Sequence, residues 1–126
     1  MAGERELTRL LADLRPQLSS ARYAFERVDQ VALTEGDFAL IREDGGLTAI
    51  REQANGAWAR ISLGVHSSLE AIGLTAVLSR RLADAGISAN VVAALDHDHF
   101  FVPWDQREIA LDAISGVGAN ESRSRS

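Results

Sequence analysis

All three histidines of the chain lie in two short segments that are rich in groups able to bind or move charge. Asp96-His97-Asp98-His99 sets four potential metal ligands in a row, and His66 supplies the third imidazole. A zinc site built from His66, His97 and His99, or from two of them and a carboxylate, would need convergent geometry and a polarised water. The spacing matches no established metal motif. In an extended chain His97 and His99 point to one face, and Asp96 and Asp98 to the other. A polar hairpin turn explains the same residues, with the aspartates accepting local backbone hydrogen bonds. A third reading pairs Asp96 or Asp98 with the ammonium group of a ligand, a charge-assisted contact.

A second set of candidates runs from Val65 to Leu74. Ser67, with Glu70 three residues later, has the pattern of a capping box and predicts a helix start. A helix N-terminus carries unpaired N–H groups and a partial positive charge, which suits a ligand carboxylate. His66, Ser67, Ser68, Leu69, Gly73 and Leu74 are therefore candidate binding residues. Gly73 costs a helix about 1 kcal/mol relative to alanine, and its missing side chain lets a ligand or another backbone approach. The plain alternative is that Ser67 only caps and Gly73 only permits tight packing. Carbonyls near Asn90 and Val91 are further candidates for holding an ammonium group.

Trp58, Phe100, Phe101 and Trp104 form an aromatic set. Adjacent Phe100 and Phe101 place one ring on each face of a strand. One is expected in the core; the other, with Trp58, either lines an interface between units or, the favoured reading, packs into the core as well. No nucleophile elbow, phosphate-cradling glycine loop or convincing carboxylate pair is visible. The chain has no cysteine, which excludes disulfides and thiol chemistry.

These groups need elements to position them. Leu7, Leu10, Leu11, Leu14 and Leu18 recur at helical spacing and predict a helix over 4–14, stopped by Pro16. Strands are predicted over 22–28, 38–42 and 47–51, the last two joined by a turn at Asp44-Gly45-Gly46. Asn55-Gly56 signals another turn. Ile61, Leu63 and Val65 alternate with Arg60, Ser62 and Gly64 as a half-buried strand. A helix follows, with a stripe of Ala71, Leu74, Thr75, Leu78, Leu82 and Ala85. Arg80, Arg81 and Asp84 face water, and Gly86 ends it. Residues 90–95 read as a strand covered on both faces or central to a sheet, and 99–103 as another. Asp105 with Glu108 begins a last helix, with Ile109, Ala113, Ile114 and Val117 as its apolar positions. Residues 118–126 are polar and expected to be disordered.

From residue 57 the order is strand, helix, strand, strand, helix. Handedness rules fold this into an antiparallel sheet with both helices on one face, a ferredoxin-like plan in the α+β class. Its last edge lacks a strand, and the segment 22–28 is expected to fill it, because an open sheet edge invites aggregation. The chain of 126 residues divides into an N-terminal half (1–56), a more regular unit (57–117) and a tail (118–126). A net charge of −5 argues against nucleic acid and anionic membrane surfaces as partners. The N-terminal 14 residues read as an amphipathic stretch rather than a signal peptide, which makes the cytoplasm the expected location.

The stretch Val65-His66-Ser67-Ser68-Leu69-Glu70-Ala71-Ile72-Gly73-Leu74-Thr75-Ala76 is distinctive. So are Ala85-Gly86-Ile87-Ser88-Ala89-Asn90-Val91-Val92-Ala93-Ala94 and His97-Asp98-His99-Phe100-Phe101-Val102-Pro103. Together they resemble a family of small bacterial proteins with tandem ACT-like domains. The resemblance spans 37–117 and is densest over 65–103. The family is similar in architecture to the regulatory ACT modules of amino-acid biosynthetic enzymes and to the ACT pairs of CASTOR-type arginine sensors. The resemblance implies ferredoxin-like βαββα(β) units that pair, and amino-acid binding where units meet. It implies a non-catalytic sensor with no cofactor, working as a homo-oligomer, most simply a dimer. Two rival expectations stand beside it: an interaction module without a small ligand, and a small metal-dependent enzyme using His66, His97 and His99.

Overall fold

Alternation of apolar and polar side chains dictates the centre of the chain, and the centre organises the rest. The computed structural model describes residues 2–69 and 71–116. In chain order the elements are α1 (Ala2–Ala12), β1 (Pro16–Leu18), β2 (Tyr23–Val28), β3 (Asp37–Glu43), β4 (Gly46–Glu52), β5 (Trp58–Leu63), α2 (Leu74–Asp84), β6 (Asn90–Ala93) and β7 (Asp98–Pro103). A 3-10 turn (Trp104–Gln106) and α3 (Arg107–Ser115) follow. Val117 and the expected disordered tail lie outside the described residues.

The strands form one antiparallel sheet in the order β3-β4-β2-β5-β7-β6, with β1 also beside β5. Pro16, Gln17 and Leu18 face Leu63, Ser62 and Ile61. Tyr23 then faces Trp58, and the rest of β2 pairs with β4. One bent N-terminal segment thus serves two neighbours. The order β1-β5-β7-β6 completes the ferredoxin-like plan. The edge is filled from the N-terminal half as expected, but mainly by residues 16–18 rather than by 22–28. Proline is tolerated there because it opens a strand, where its missing N–H costs nothing. Leu18 consequently belongs to β1 and not to the stripe of α1.

Two cores lie on opposite faces of β5 and β7. On one, Ala59, Ile61, Leu63, Phe100 and Val102 pack against Leu10 and Leu14, against Leu74, Leu78 and Leu82 of α2, and against Ala110, Ala113 and Ile114 of α3. On the other, Phe101 packs with Tyr23 and Ile50, flanked by Phe38, Trp58 and Val92. Phe100 and Phe101 do take opposite faces, and both are fully buried. Full burial of one such ring contributes roughly 1.5–3 kcal/mol.

The second core exists because the sheet curls. β3 and β7 are four strand spacings apart, roughly 19 Å in a flat sheet. The ring of Phe38 in β3 nevertheless lies 4.8 Å from that of His99 in β7. The strands β3, β4 and β2 therefore fold over the face of β5 and β7 that the helices leave open.

Several local expectations are corrected. α2 begins at Leu74, not at Ser67. Gly73 occupies its N-cap at φ 95°, and no side chain caps it. Ser67 is engaged elsewhere, and Glu70 lies outside the described residues. β6 is an edge strand, with Asn90 and Ala93 exposed, so the continuous apolar run there does not mark a central position. Ile109 is 58% exposed, and Ala110 takes its place in the core. Asp105 lies in the 3-10 turn, and Gln106 stands at the N-cap of α3. Arg81 does not simply face water: its Nη1 donates to Ile114 O at 2.7 Å and closes the end of α3. The end of α2 is as expected. Gly86, at φ 75°, donates its N–H to Ala83 O, and Ile87 donates to Leu82 O, the paired bonds of a Schellman motif.

Candidate functional site

The loop from β5 to α2 and the turn from β6 to β7 meet at one end of the sheet. The loop is tied down where it starts: Gly64 N and Val65 N both donate to Leu14 O, at 3.0 and 3.1 Å. Ser67 is then buried, and its Oγ donates to Asp98 Oδ2 at 3.4 Å. Asp98, the first residue of β7, is itself only 8% exposed. Burial pushes its carboxyl above the usual carboxylate range, while the Ser67 bond and the charge of His97 oppose that. His97 Nδ1 lies 3.3 Å from Val65 O. At the surface His66 Nε2 lies 3.5 Å from Asp96 Oδ1, and the rings of His66 and His97 stand edge to face at 6.2 Å. Leu69, Ile72 and Leu95 project from the same loop and turn, 65%, 83% and 72% exposed.

Of the residues singled out in the sequence, His66, Ser67, Asp96 and Asp98 thus come together, with Ser68 and Leu69 on the same loop. Asn90 and Val91 do not. They face Phe101 and Phe100 at the far end of β6, whereas the turn joins Ala93 to Asp98. Gly73 and Leu74 are turned inward. Leu74 is 2% exposed in the helix-side core. A Cβ on Gly73 would lie 3.1 Å from Leu7 Cδ2, so the close approach that this glycine permits is made by α1.

The three histidines do not converge. His97 reaches Val65 O, while His99 turns to the opposite face of the sheet, its Nδ1 2.7 Å from Ser62 Oγ. Among the described residues no three histidine or acidic side chains gather in a geometry suited to a metal ion. The metal-enzyme reading has no geometric support there.

A polar cluster that sequence reasoning missed lies under the curled strands β2 to β4. Arg60 Nε donates to Tyr23 Oη at 3.1 Å, and Arg60 Nη1 donates to Ser62 Oγ at 2.5 Å. The guanidinium stacks over Phe38 at 4.9 Å and Tyr23 at 5.4 Å. Burial, then the nearby charges of Arg60 and His97, hold His99 below its ordinary value. Alternation along β5 does place Arg60 and Ser62 on one face. Their partners, Tyr23 and His99, are 37 residues away in each direction, and only the tertiary fold supplies them.

Among curated proteins none matches the chain. Two family models, both described as ACT domain, match residues 2–68 and 53–115. A solved structure from Vibrio cholerae, described as a protein of unknown function and possible transport protein, is 39% identical. The alignment covers 89% of this chain and 95% of that one, with a TM-score of 0.73. A solved protein from Agobacterium tumefaciens shares the fold at 18% identity and a TM-score of 0.66, over 83% of this chain and 89% of that one. The overlapping family matches, the ferredoxin-like order of β1, β5, β7 and β6, and the 39% identity agree: the chain belongs to the ACT-domain family.

Proposed function

We propose that the chain is a non-catalytic regulatory module that binds an amino acid where the β5–α2 loop meets the β6–β7 turn. The observation that carries this reading is Asp98: a buried carboxylate, raised by desolvation, with one long hydrogen bond from Ser67. A ligand ammonium would satisfy it with a charge-assisted bond. Ser67 and Ser68 lie beside it on the loop, and the amides opening α2 at Leu74 offer a favourable end for the carboxylate. His66, Asp96 and Leu69 would rim the ligand side chain. Membership of the ACT-domain family supports a regulatory role through small ligands.

The reading takes 1–56 as a degenerate ACT-like half and 57–117 as the fuller unit. It also takes the working form as a homodimer in the cytoplasm, without nucleic-acid or membrane partners. Among the described residues no helix is long and apolar enough to cross a membrane. Binding acts as a regulator only if the ligand favours one packing of the units over another.

A thermal-shift panel of the common amino acids tests the proposal. A ligand at 100 times its dissociation constant stabilises by about 2.7 kcal/mol, and Asp98→Asn should abolish that shift. A flat panel with the wild-type chain would count against it.

A second reading, an interaction module without a small ligand, draws on the exposure of Leu69, Ile72 and Leu95 around the same junction. Mass measurement in solution separates the two. An oligomer that dissociates in an Ile72→Ser variant, together with a flat ligand panel, favours the second.

A further inference from the structure

We propose that the Arg60 cluster is a second ligand site, separate from the Ser67–Asp98 junction, and that it takes a small organic monocarboxylate with an apolar body. Arg60 is half-buried between the two layers of the curled sheet. Among the described residues no carboxylate forms an ion pair with it. Its hydrogen bonds go to two neutral oxygens, Tyr23 Oη and Ser62 Oγ. A cation taken partly out of water without a counter-charge is costly, and an anion would offset that cost.

The hydrogen-bond chain supplies a second donor. In the arrangement we infer, Ser62 Oγ accepts from Arg60 and gives its own proton to His99 Nδ1, 2.7 Å away. A neutral imidazole that accepts at Nδ1 carries its proton on Nε2. That N–H has no hydrogen-bond partner among the described residues. Burial and the neighbouring guanidinium both disfavour the protonated ring, which favours this arrangement. The site therefore offers one fixed cation and one neutral N–H, a set suited to a carboxylate.

The surroundings select the rest of the ligand. Phe38 stands 4.8 Å from the His99 ring and 4.9 Å from the Arg60 guanidinium. Val92 faces His99 across the β6–β7 pair. The charged head meets Arg60 and His99, and an apolar body lies against Phe38 and Val92. The Arg60 site presents a fixed cation and the Asp98 junction a buried carboxylate, so the two offer opposite charges to a ligand.

The test is an NMR titration of the full chain with benzoate, with inorganic phosphate and glycine as comparison probes. Benzoate should perturb Ser62, His99 and Phe38 saturably and raise the His99 pKa, because it neutralises the adjacent guanidinium. Arg60→Gln should weaken benzoate about tenfold or more, equivalent to about 1.4 kcal/mol, and Arg60→Lys by less. If Arg60→Gln fails to fold, the His99 titration of the wild-type chain with and without benzoate still decides the matter. Unsaturable perturbation, an unmoved His99 pKa, or phosphate or glycine binding at these residues as tightly as benzoate would overturn the proposal.

Discussion

Leu7 of α1 fills the space that a side chain on Gly73 would need: its Cδ2 lies 3.1 Å from the position of the missing Cβ. Gly73 also sits at φ 95°, a conformation that L-residues rarely adopt. The start of α2 and the N-terminal helix are thus fitted to each other. Gly73→Ala should destabilise the fold by roughly 1–3 kcal/mol, combining backbone strain with a steric push on Leu7. Leu7→Ala should relieve the steric part. Urea denaturation of both single variants and the double variant should therefore give a non-additive cycle, with coupling of about 0.5 kcal/mol or more.

Phe101 is the hinge pin of the second core. It is fully buried, with the rings of Tyr23, Phe25 and Phe38 within 5.5 Å. Phe101→Ala should cost about 3–5 kcal/mol, read as a lower urea midpoint. Near-ultraviolet circular dichroism should report the loss of aromatic packing between β2–β4 and β5–β7.

The parts of this fold that were legible in the sequence are those where one local signal suffices. The alternation of Ile61 and Leu63 placed β5, the spacing of Leu74, Leu78 and Leu82 placed the buried face of α2, and Gly86 marked its end. Asp44 to Gly46 marked the hairpin between β3 and β4. Residues 16–18 were not legible, because three residues cannot display a period, and a proline there also reads as a helix stop. The start of α2 was misplaced because Ser67 satisfies a capping pattern while its hydroxyl in fact goes to Asp98, 31 residues away. Position 90 opens an apolar run that suits a central strand, yet such a run is equally compatible with an edge strand packed on one face. His66, Ser67, Asp96 and Asp98 were all singled out, but the Arg60–Ser62–His99 chain was not. It depends on the curling of the sheet, a property of no single segment.

Asp98 gives the protein a pH signature of definite sign. Its folded pKa is raised above 3.8, mainly by burial, so the native state binds more protons than the unfolded chain just above that pH. Stability from this group is present at low pH and is lost as pH rises through the folded value. Asp98→Asn removes a buried charge while leaving Ser67 a carbonyl oxygen to donate to. The variant should be more stable than wild type at neutral pH, and its stability curve should lack that decline. Chemical denaturation at steps from pH 4 to 7 checks both.

His99 has the opposite sign. Its folded pKa lies below 6.5, through burial first and the charges of Arg60 and His97 next. The unfolded chain therefore binds the proton first, and stability is lost as pH falls below that value. Arg60→Gln removes one cause, so the His99 pKa should rise toward its ordinary value, and the acid-side loss should shrink. Histidine ring NMR in the two chains measures the shift directly.

The Asp98 junction is tested most directly by calorimetric titration of the amino acid giving the largest thermal shift, between pH 4 and 6 in buffers of different ionisation enthalpy. If a ligand ammonium sits on Asp98, binding draws the carboxyl into its ionised form. Wild type should release protons on binding, and Asp98→Asn should bind far more weakly and release none. Undiminished affinity in Asp98→Asn, with no proton release from either chain, would contradict the account.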